Sequence, residues 1–285
     1  MNSEPRGISP ILPAPAAARP RTIAFTSGKG GVGKSNVVLN LGLTLARRGR
    51  RVMLLDGDLG LASLNVLLGV APRHDLRHVL AGERRLDEIL LRGPYGLRII
   101  PAGSGVAELA SLDHETRERL LARLDELAST VDFLLVDTGA GINDTVLELI
   151  LAADEAVVVT RPEPTAVADA YALMKVVIRE HPSYPFHLLI NMVRDAAEAD
   201  QVFASLSHLL VRFLGYRPGN AGHVPLDPVV ARGVVDQVPF TVGAPRSQAT
   251  RGVERLAESL LGAPPAPAST AAFWQRVVAW HRRPA

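Results

Sequence analysis

The chain has 285 residues, and its 31 basic and 29 acidic side chains give a formal net charge of +2. This net charge alone gives no argument for a nucleic-acid partner. Cysteine is absent, which excludes disulfide scaffolds, thiol nucleophiles and cysteine-held zinc or iron–sulfur sites. No uncharged apolar run reaches the roughly 18 residues of a membrane-spanning helix. Because the proline-rich start lacks the apolar core of a signal peptide, we expect a cytoplasmic protein.

Composition divides the chain into four parts. Residues 1–20 hold five prolines among alanines and small polar groups, which is typical of a disordered leader. Residues 21–262 alternate short apolar strands with helical stretches and form the predicted main domain. Residues 263–268 are a proline–alanine spacer, and residues 269–285 are a short amphipathic tail.

The main domain is predicted to be an α/β sandwich. The predicted strands are Thr22–Ser27, Arg51–Asp56, Leu97–Pro101, Asp132–Asp137, Ala156–Thr160, His187–Met192 and Ala221–Val224. Helical patterns between them include Ser35–Arg48, Asp113–Ser129, Ile142–Ala153 and Thr165–Glu180. Several strands are apolar almost throughout, as strands covered on both faces are. The alternation predicts a three-layer fold: a largely parallel sheet with helices on both faces.

A phosphate-binding loop follows the first strand. The run Gly28-Lys-Gly-Gly-Val-Gly-Lys-Ser35 matches G-x-x-x-x-G-K-[ST] between a strand and a helix, so we predict a P-loop NTPase that binds ATP or ADP. Its backbone N–H groups surround phosphate, Lys34 reaches the β- and γ-phosphates, and the Ser35 hydroxyl binds Mg²⁺. The candidate nucleotide-binding residues here are Gly28, Lys29, Gly30, Gly31, Val32, Gly33, Lys34, Ser35 and Asn36.

Lysine usage singles out the same loop. Only Lys29, Lys34 and Lys175 are lysines, and two of the three lie in this loop. Arginine serves elsewhere as the generic cation, so the retained lysines indicate sites that need a compact ammonium group.

Aspartates at two strand ends complete the predicted site. Asp56 ends the second predicted strand, Asp58 lies two residues later, and Asp137 ends the fourth. An aspartate near the γ-phosphate can orient an attacking water. We expect Asp137 to face Mg²⁺ and Asp56 to lie near the same ion.

With its second lysine, the loop resembles the deviant Walker A motif of the MinD/ParA family. The resemblance implies that Lys29 reaches across a homodimer interface to the phosphates of the partner's nucleotide. Asp58 matches the family's water-positioning aspartate in switch I, and Asp137-Thr-Gly-Ala-Gly141 resembles switch II. The implied activity is a slow ATPase that requires dimerisation, with Asp58, Lys29 and Lys34 as its catalytic residues.

Two later segments resemble the adenine-contacting segments of this family. They end the sixth and seventh predicted strands and contain Asn191, Arg194, Pro225 and Asp227. The resemblance implies that Asn191 hydrogen-bonds the base and that Pro225 packs on its ring.

Further segments resemble the flagellar-number regulators of the family (FlhG/FleN, also called YlxH). These segments are Gly60-Leu-Ala, Asn65-Val-Leu-Leu-Gly69, His78-Val-Leu-Ala-Gly82, Ile100-Pro-Ala-Gly-Ser-Gly105, Glu163-Pro-Thr and Asp169-Ala-Tyr-Ala-Leu173. The resemblance implies a switch at the cell pole that restrains a flagellar transcription activator and a signal-recognition-type GTPase. Members that stimulate this GTPase carry an N-terminal Asp-Gln-Ala helix, which residues 1–20 lack. The resemblance therefore does not extend to direct GTPase activation.

Two alternatives remain open. A DNA-partitioning ATPase of the ParA type needs a basic stripe, which Arg212, Arg217, Arg246, Arg251 and Arg255 could supply. Arginines at such positions are usually solvated helix faces, so direct DNA binding is not expected. A non-catalytic binding module on the same fold would lack the switch aspartates, and both are present.

The tail holds both tryptophans of the chain. On a helix, one face carries Phe273, Trp274, Val277, Val278 and Trp280. The opposite face carries Gln275, Arg276, Arg282 and Arg283. Aromatic residues opposite arginines suit a bilayer interface, and the resemblance implies a membrane-targeting helix. We expect peripheral, ATP-dependent binding to the inner membrane; the alternative is a helix that docks on its own domain.

Overall fold

A computed structural model of the chain describes residues 19–58, 63–101, 105–108, 113–262 and 272–280. Within these ranges the predicted fold is confirmed: one largely parallel sheet carries helices on both faces. The predicted leader up to residue 18 and the spacer at residues 263–268 lie outside the described residues.

The described strands and helices follow in chain order. The strands are β1 Arg21–Ser27, β2 Val52–Gly57, β3 Leu91–Arg92, β4 Arg98–Pro101, β5 Phe133–Ala140, β6 Glu155–Thr160, β7 Phe186–Val193 and β8 Gly219–Pro225. The helices are α1 Lys34–Arg47, α2 Ser63–Leu67, α3 Leu76–Leu80, α4 Leu86–Ile89, α5 Gly105–Glu108, α6 His114–Ser129, α7 Asp144–Ala152, α8 Pro164–Glu180, α9 Ala196–Leu214, α10 Pro228–Val235, α11 Phe240–Gly243, α12 Gln248–Gly262 and α13 Phe273–Trp280. None of these helices is long and apolar enough to cross a membrane.

Strand order places the phosphate loop at the centre of one sheet edge. The order is β3-β4-β2-β5-β1-β6-β7-β8, and only the β3–β4 pair is antiparallel. β1 therefore lies between β5 and β6, and the carboxyl ends of its parallel neighbours share its edge. Ligands of open α/β sheets bind at such an edge, outside the carboxyl ends of the strands.

Alternate residues of each strand enter two separate cores. On one face, Leu134 and Val158 pack in the layer of α6 to α9. On the other face, Leu135 and Val157 pack in the layer of α1 and α12. Burial on both faces explains why these strands are apolar at nearly every position.

Most strand bounds agree with the predictions within one or two residues, and two differences are larger. β5 continues to Ala140, three residues beyond the predicted end at Asp137, because it stays paired with β1 as far as Ser27. β3 was not predicted, since two residues are too few to show strand periodicity.

The tail that was predicted to bind a membrane belongs to the core in this structure. α13 packs against α6 and α7, and Phe273, Trp274, Val277 and Val278 are buried, Trp274 completely. The side chain of Trp280 lies outside the described residues. The prediction of a free tail with an exposed apolar face is therefore wrong for this structure, and the docked alternative describes it.

Polar contacts explain why the tail docks. The guanidinium of Arg276, predicted to be on the polar face, pairs with Asp154 at 3.0 Å, and both side chains are largely buried. On α6, Asp125 accepts a backbone hydrogen bond from Trp274, and burial raises the pKa of this carboxyl to about 6. These contacts fix the helix with its apolar face buried in its own domain.

Candidate functional site

The phosphate loop, residues 28–35, follows β1 at the carboxyl edge of the sheet and includes the first two residues of α1. Among the described residues no side chain caps the start of α1, so its first N–H groups are available to an anion. Gly33 has φ +84°, and a Cβ at this position would lie 2.4 Å from Nδ2 of Asn191. Both facts require glycine, so the motif residue is fixed by the contact with β7 as well as by the turn.

Lys34 lies inside the loop. Its ammonium contacts Oδ1 of Asp137 at 2.5 Å, and both side chains are buried. The structure thus brings together the loop lysine and the aspartate that follows the apolar run of β5, two residues that are 103 positions apart in the sequence.

The three residues predicted to hold Mg²⁺ meet beside this pair. Asp56 and Asp137 are partners in the β2–β5 register, and the Ser35 side chain hydrogen-bonds Asp137. Burial, together with the charge of Asp137, raises the pKa of Asp56 to about 7; burial also raises the pKa of Asp137. Within the described part of the chain, Oδ1 of Asp56 and Oδ2 of Asp137 are buried without a hydrogen-bond partner. Hard oxygen donors left in this way fit Mg²⁺, whose remaining ligands are usually water and phosphate.

Asp58 faces the same space as the phosphate loop. A cavity of about 560 Å³ is lined by residues 30–36 of the loop and α1 and by Asp58, Val66, Leu67 and Ala140. This placement puts a carboxylate opposite the anion-binding N–H groups, where a water-positioning residue is required.

A second cavity continues the first toward β7 and β8. Its volume is about 370 Å³, and it shares Gly33 and Asn36 with the phosphate cavity. Val224, Pro225 and Phe240 contribute to its mostly apolar lining. The two cavities together suit a nucleotide: the first, the phosphate cavity, is lined by the loop and Lys34, and the second, the base cavity, is mostly apolar.

Asn191 holds the loop in this structure. Its buried side-chain Nδ2 donates a hydrogen bond of 2.7 Å to the carbonyl of Val32. A bulge in the β7–β8 pairing lies at this point, and Met192 there has φ +58°. The amide keeps its Oδ1 and a second N–H for a base, so the expected base contact is compatible with this anchoring role.

The other two predicted base contacts have different partners. Asp227 caps α10 through the N–H of Val229 and also accepts hydrogen bonds from the N–H groups of Gln248 and Ala249. Although Asp227 lines the base cavity, its carboxylate therefore serves two helix starts. Arg194 is exposed and pairs with Glu198 at 2.9 Å, and it is not among the residues that line this cavity. The bonds from Gln248 and Ala249 could not be predicted from the sequence pattern, since they depend on how α12 docks beside α10. The Arg194–Glu198 pair is a local i,i+4 contact.

Lys29 lies at the rim of the loop. Its ammonium is 3.0 Å from Oγ1 of Thr165 and 3.6 Å from Oε2 of Glu163, at the start of α8. The side chain is 38% exposed, whereas that of Lys34 is 6% exposed. The two lysines of the loop thus occupy different environments.

Arg161 is a basic residue at this rim that was not predicted. Its Nη1 donates to the carbonyl of Gly31 at 3.3 Å, and its Nη2 pairs with Glu163 at 2.5 Å. The available signal was a basic residue directly after a buried strand. This signal could place Arg161 near the loop only once β6 was known to lie beside β1.

Comparisons with known proteins agree with this site. The AAA_31 family model, described as AAA domain, matches residues 20–183. The chain is similar to the antiactivator FleN of Pseudomonas aeruginosa, with 41% identity over 240 residues that cover 84% of this chain and 86% of FleN. The flagellum site-determining protein YlxH of Helicobacter pylori is 40% identical over 186 residues, which cover 65% of this chain and 62% of YlxH.

Solved structures give the same family. The MinC:MinD cell division complex of Aquifex aeolicus matches with a TM-score of 0.67 and 25% identity, covering 86% of this chain and 97% of that one. MinD of Pyrococcus horikoshii, solved with Mg-ADP, matches with a TM-score of 0.65 and 26% identity, covering 84% and 95%. The resemblance in the sequence is thereby confirmed: the chain belongs to the MinD/ParA family of P-loop ATPases.

Proposed function

We propose that this protein is a slow ATPase whose ATP-bound form is a homodimer and whose output is the lifetime of that dimer. The observation that carries the proposal is the separation of the two loop lysines. Lys34 is buried beside Asp137, while Lys29 stays at the rim, more than a third exposed. A rim cation can reach the phosphates of a second copy, where it would offset the charge of two facing nucleotides.

In this proposal, different side chains bind the metal, bind phosphate and position water during hydrolysis. ATP with Mg²⁺ supplies the transferable phosphoryl group. Ser35, Asp56 and Asp137 would hold the metal, Lys34 would bind phosphate, and Asp58 would orient the attacking water. The same groups can hold ADP after hydrolysis, so the site suits a switch that reverts slowly.

Similarity to FleN and YlxH supports a role in flagellar number and placement. FleN is named an antiactivator, and the match covers most of both chains. We therefore assign to this protein the restraint of a flagellar transcription activator, with a signal-recognition-type flagellar GTPase as a second partner, at the inner membrane near a cell pole.

The docked tail supplies the membrane contact only after release. α7 begins a few residues after Gly141, whose N–H bonds Ser27 at the start of the loop, and α13 packs on α7. A change at the loop can therefore reach the tail through one helix. Two tails in a dimer would bind together at high effective concentration.

Vesicle co-sedimentation tests this release. We expect binding to anionic vesicles with ATP, weaker binding at high salt, and none for the chain truncated after Gly262. Equal binding of the ADP form or of the truncated chain would contradict the tail's role.

A cellular experiment tests the flagellar assignment. Asp58→Ala should trap the ATP-bound state, so cells that carry it should misregulate flagellar number. Unchanged flagellation, with disturbed plasmid or chromosome segregation, would contradict the assignment and favour the ParA alternative.

A further inference from the structure

Arg161 follows β6 directly and lies between the phosphate loop and the start of α8. One guanidinium nitrogen donates to the carbonyl of Gly31, and the other pairs with Glu163. The side chain is 28% exposed, and its Nε is buried without a partner among the described residues. Arg161 is thus fixed at the rim of the loop, although no part of the phosphate-loop motif calls for it.

Glu163 serves two cations. Arg161 contacts its Oε1 at 2.5 Å, and Lys29 lies 3.6 Å from its Oε2. The hydrogen bond from Arg161, together with the charge of Lys29, keeps the pKa of Glu163 below its ordinary value. One ionised carboxylate is therefore shared unequally, and the arginine holds the shorter contact.

We propose that Arg161 is a positioning residue that limits how firmly Glu163 holds Lys29 within its own protomer, and so sets the stability of the ATP-bound dimer. The inference rests on the proposed role of Lys29 across the dimer interface. In that role Lys29 must leave Glu163 and Thr165. The free-energy cost of separating Lys29 from Glu163 is lower when Arg161 already neutralises the carboxylate, because the attraction of Glu163 for a second cation is then weaker.

The solvent exposure of Lys29 and Glu163 limits the expected change in the dimer dissociation constant. An exposed ion pair shifts an equilibrium by up to about fivefold. A two-fold symmetric dimer uses two such lysines, so the two shifts multiply to at most about twenty-five-fold in the dimer dissociation constant.

Sedimentation velocity with Mg²⁺ and a non-hydrolysable ATP analogue measures this constant. We expect Arg161→Ala to weaken the dimer about five- to twenty-five-fold and Glu163→Gln to strengthen it. The double variant should match Glu163→Gln, since Arg161 acts through that carboxylate. Arg161→Lys should recover part of the loss. Arg179→Ala, which removes an exposed arginine from the last turn of α8, is the matched control and should leave the constant unchanged.

Three results would overturn the inference. These are an Arg161→Ala dimer of wild-type strength, an Arg161→Ala defect that persists beside Glu163→Gln, and a loss of ADP affinity in Arg161→Ala. The last would show that the contact with Gly31 carries the effect. Lys29→Ala separates this inference from the proposed function. A dimer that persists in Lys29→Ala contradicts the proposed function itself, whereas its loss beside an unaffected Arg161→Ala contradicts only the role of Arg161.

Discussion

At the scale of single residues, Gly33 is the point where the loop, the sheet and the base cavity meet. Its positive φ is shared with Gly31, but a Cβ at position 31 would meet open space, while one at position 33 would overlap Asn191. Gly31→Ala thus introduces backbone strain of about 1–2 kcal/mol without an overlap with Asn191.

We expect Gly33→Ala to lose ADP binding by at least tenfold more than Gly31→Ala, because the displaced Asn191 no longer anchors the loop at Val32. Titration with a fluorescent ADP measures both. Equal affinities would show that the Asn191 contact does not shape the loop.

Asp58 allows binding and turnover to be separated. Asp58→Asn keeps the size of the side chain but removes the base, so we expect ADP affinity to stay within about twofold and the rate of hydrolysis to fall about a hundredfold or more. Phosphate release under saturating ATP measures the rate. Asp200→Asn, an exposed aspartate of α9, is the control. Turnover near wild type in Asp58→Asn would remove Asp58 from the mechanism.

How much of the site could be predicted depends on what fixes each residue. Lys34 and Ser35 were predictable because a motif sets their spacing, and Asp137 was predictable because it directly follows an apolar run, Phe133–Val136. Arg161 and the anchoring bond of Asn191 were not, because they depend on strand order and on a bulge that leaves no periodic trace.

At the scale of elements, the amphipathic pattern of the tail predicts a helix but not the surface on which the helix packs. The pattern predicted the helix and its apolar face correctly, but it carries no information about what covers that face. In the structure α6 and α7 cover the apolar face, and Arg276 pairs with the buried Asp154. These partners come from distant parts of the chain.

The docked helix should contribute measurably to stability. We expect Trp274→Ala to lower the free energy of unfolding by about 3–5 kcal/mol, because a completely buried indole is lost. Gln275→Ala, exposed on the other side of the same helix, is expected to change it by less than about 0.5 kcal/mol. Denaturant unfolding followed by circular dichroism measures both. Equal stability of the two variants would mean that the tail is free in solution.

At the scale of the whole molecule, the nucleotide cavities and the contact that anchors the tail lie at opposite edges of the sheet, and α7 connects them. The cavities lie at the carboxyl edge, whereas Asp154, which anchors the tail, directly precedes β6 at the opposite edge. α7 runs between the two, from the end of the Asp137 segment to the contact with α13. The fold thus offers a physical connection from bound nucleotide to tail, as the proposed switch requires.

Sedimentation of the purified protein with Mg²⁺ and either ATP or ADP tests the central claim most directly. The three lysines provide the comparison, because Lys175 lies on α8 outside both cavities. The account predicts a dimer with ATP and a monomer with ADP for wild type and for Lys175→Ala, and a monomer with either nucleotide for Lys29→Ala, which should still bind ADP through Lys34. An ATP-dependent dimer of wild-type strength in Lys29→Ala would contradict it.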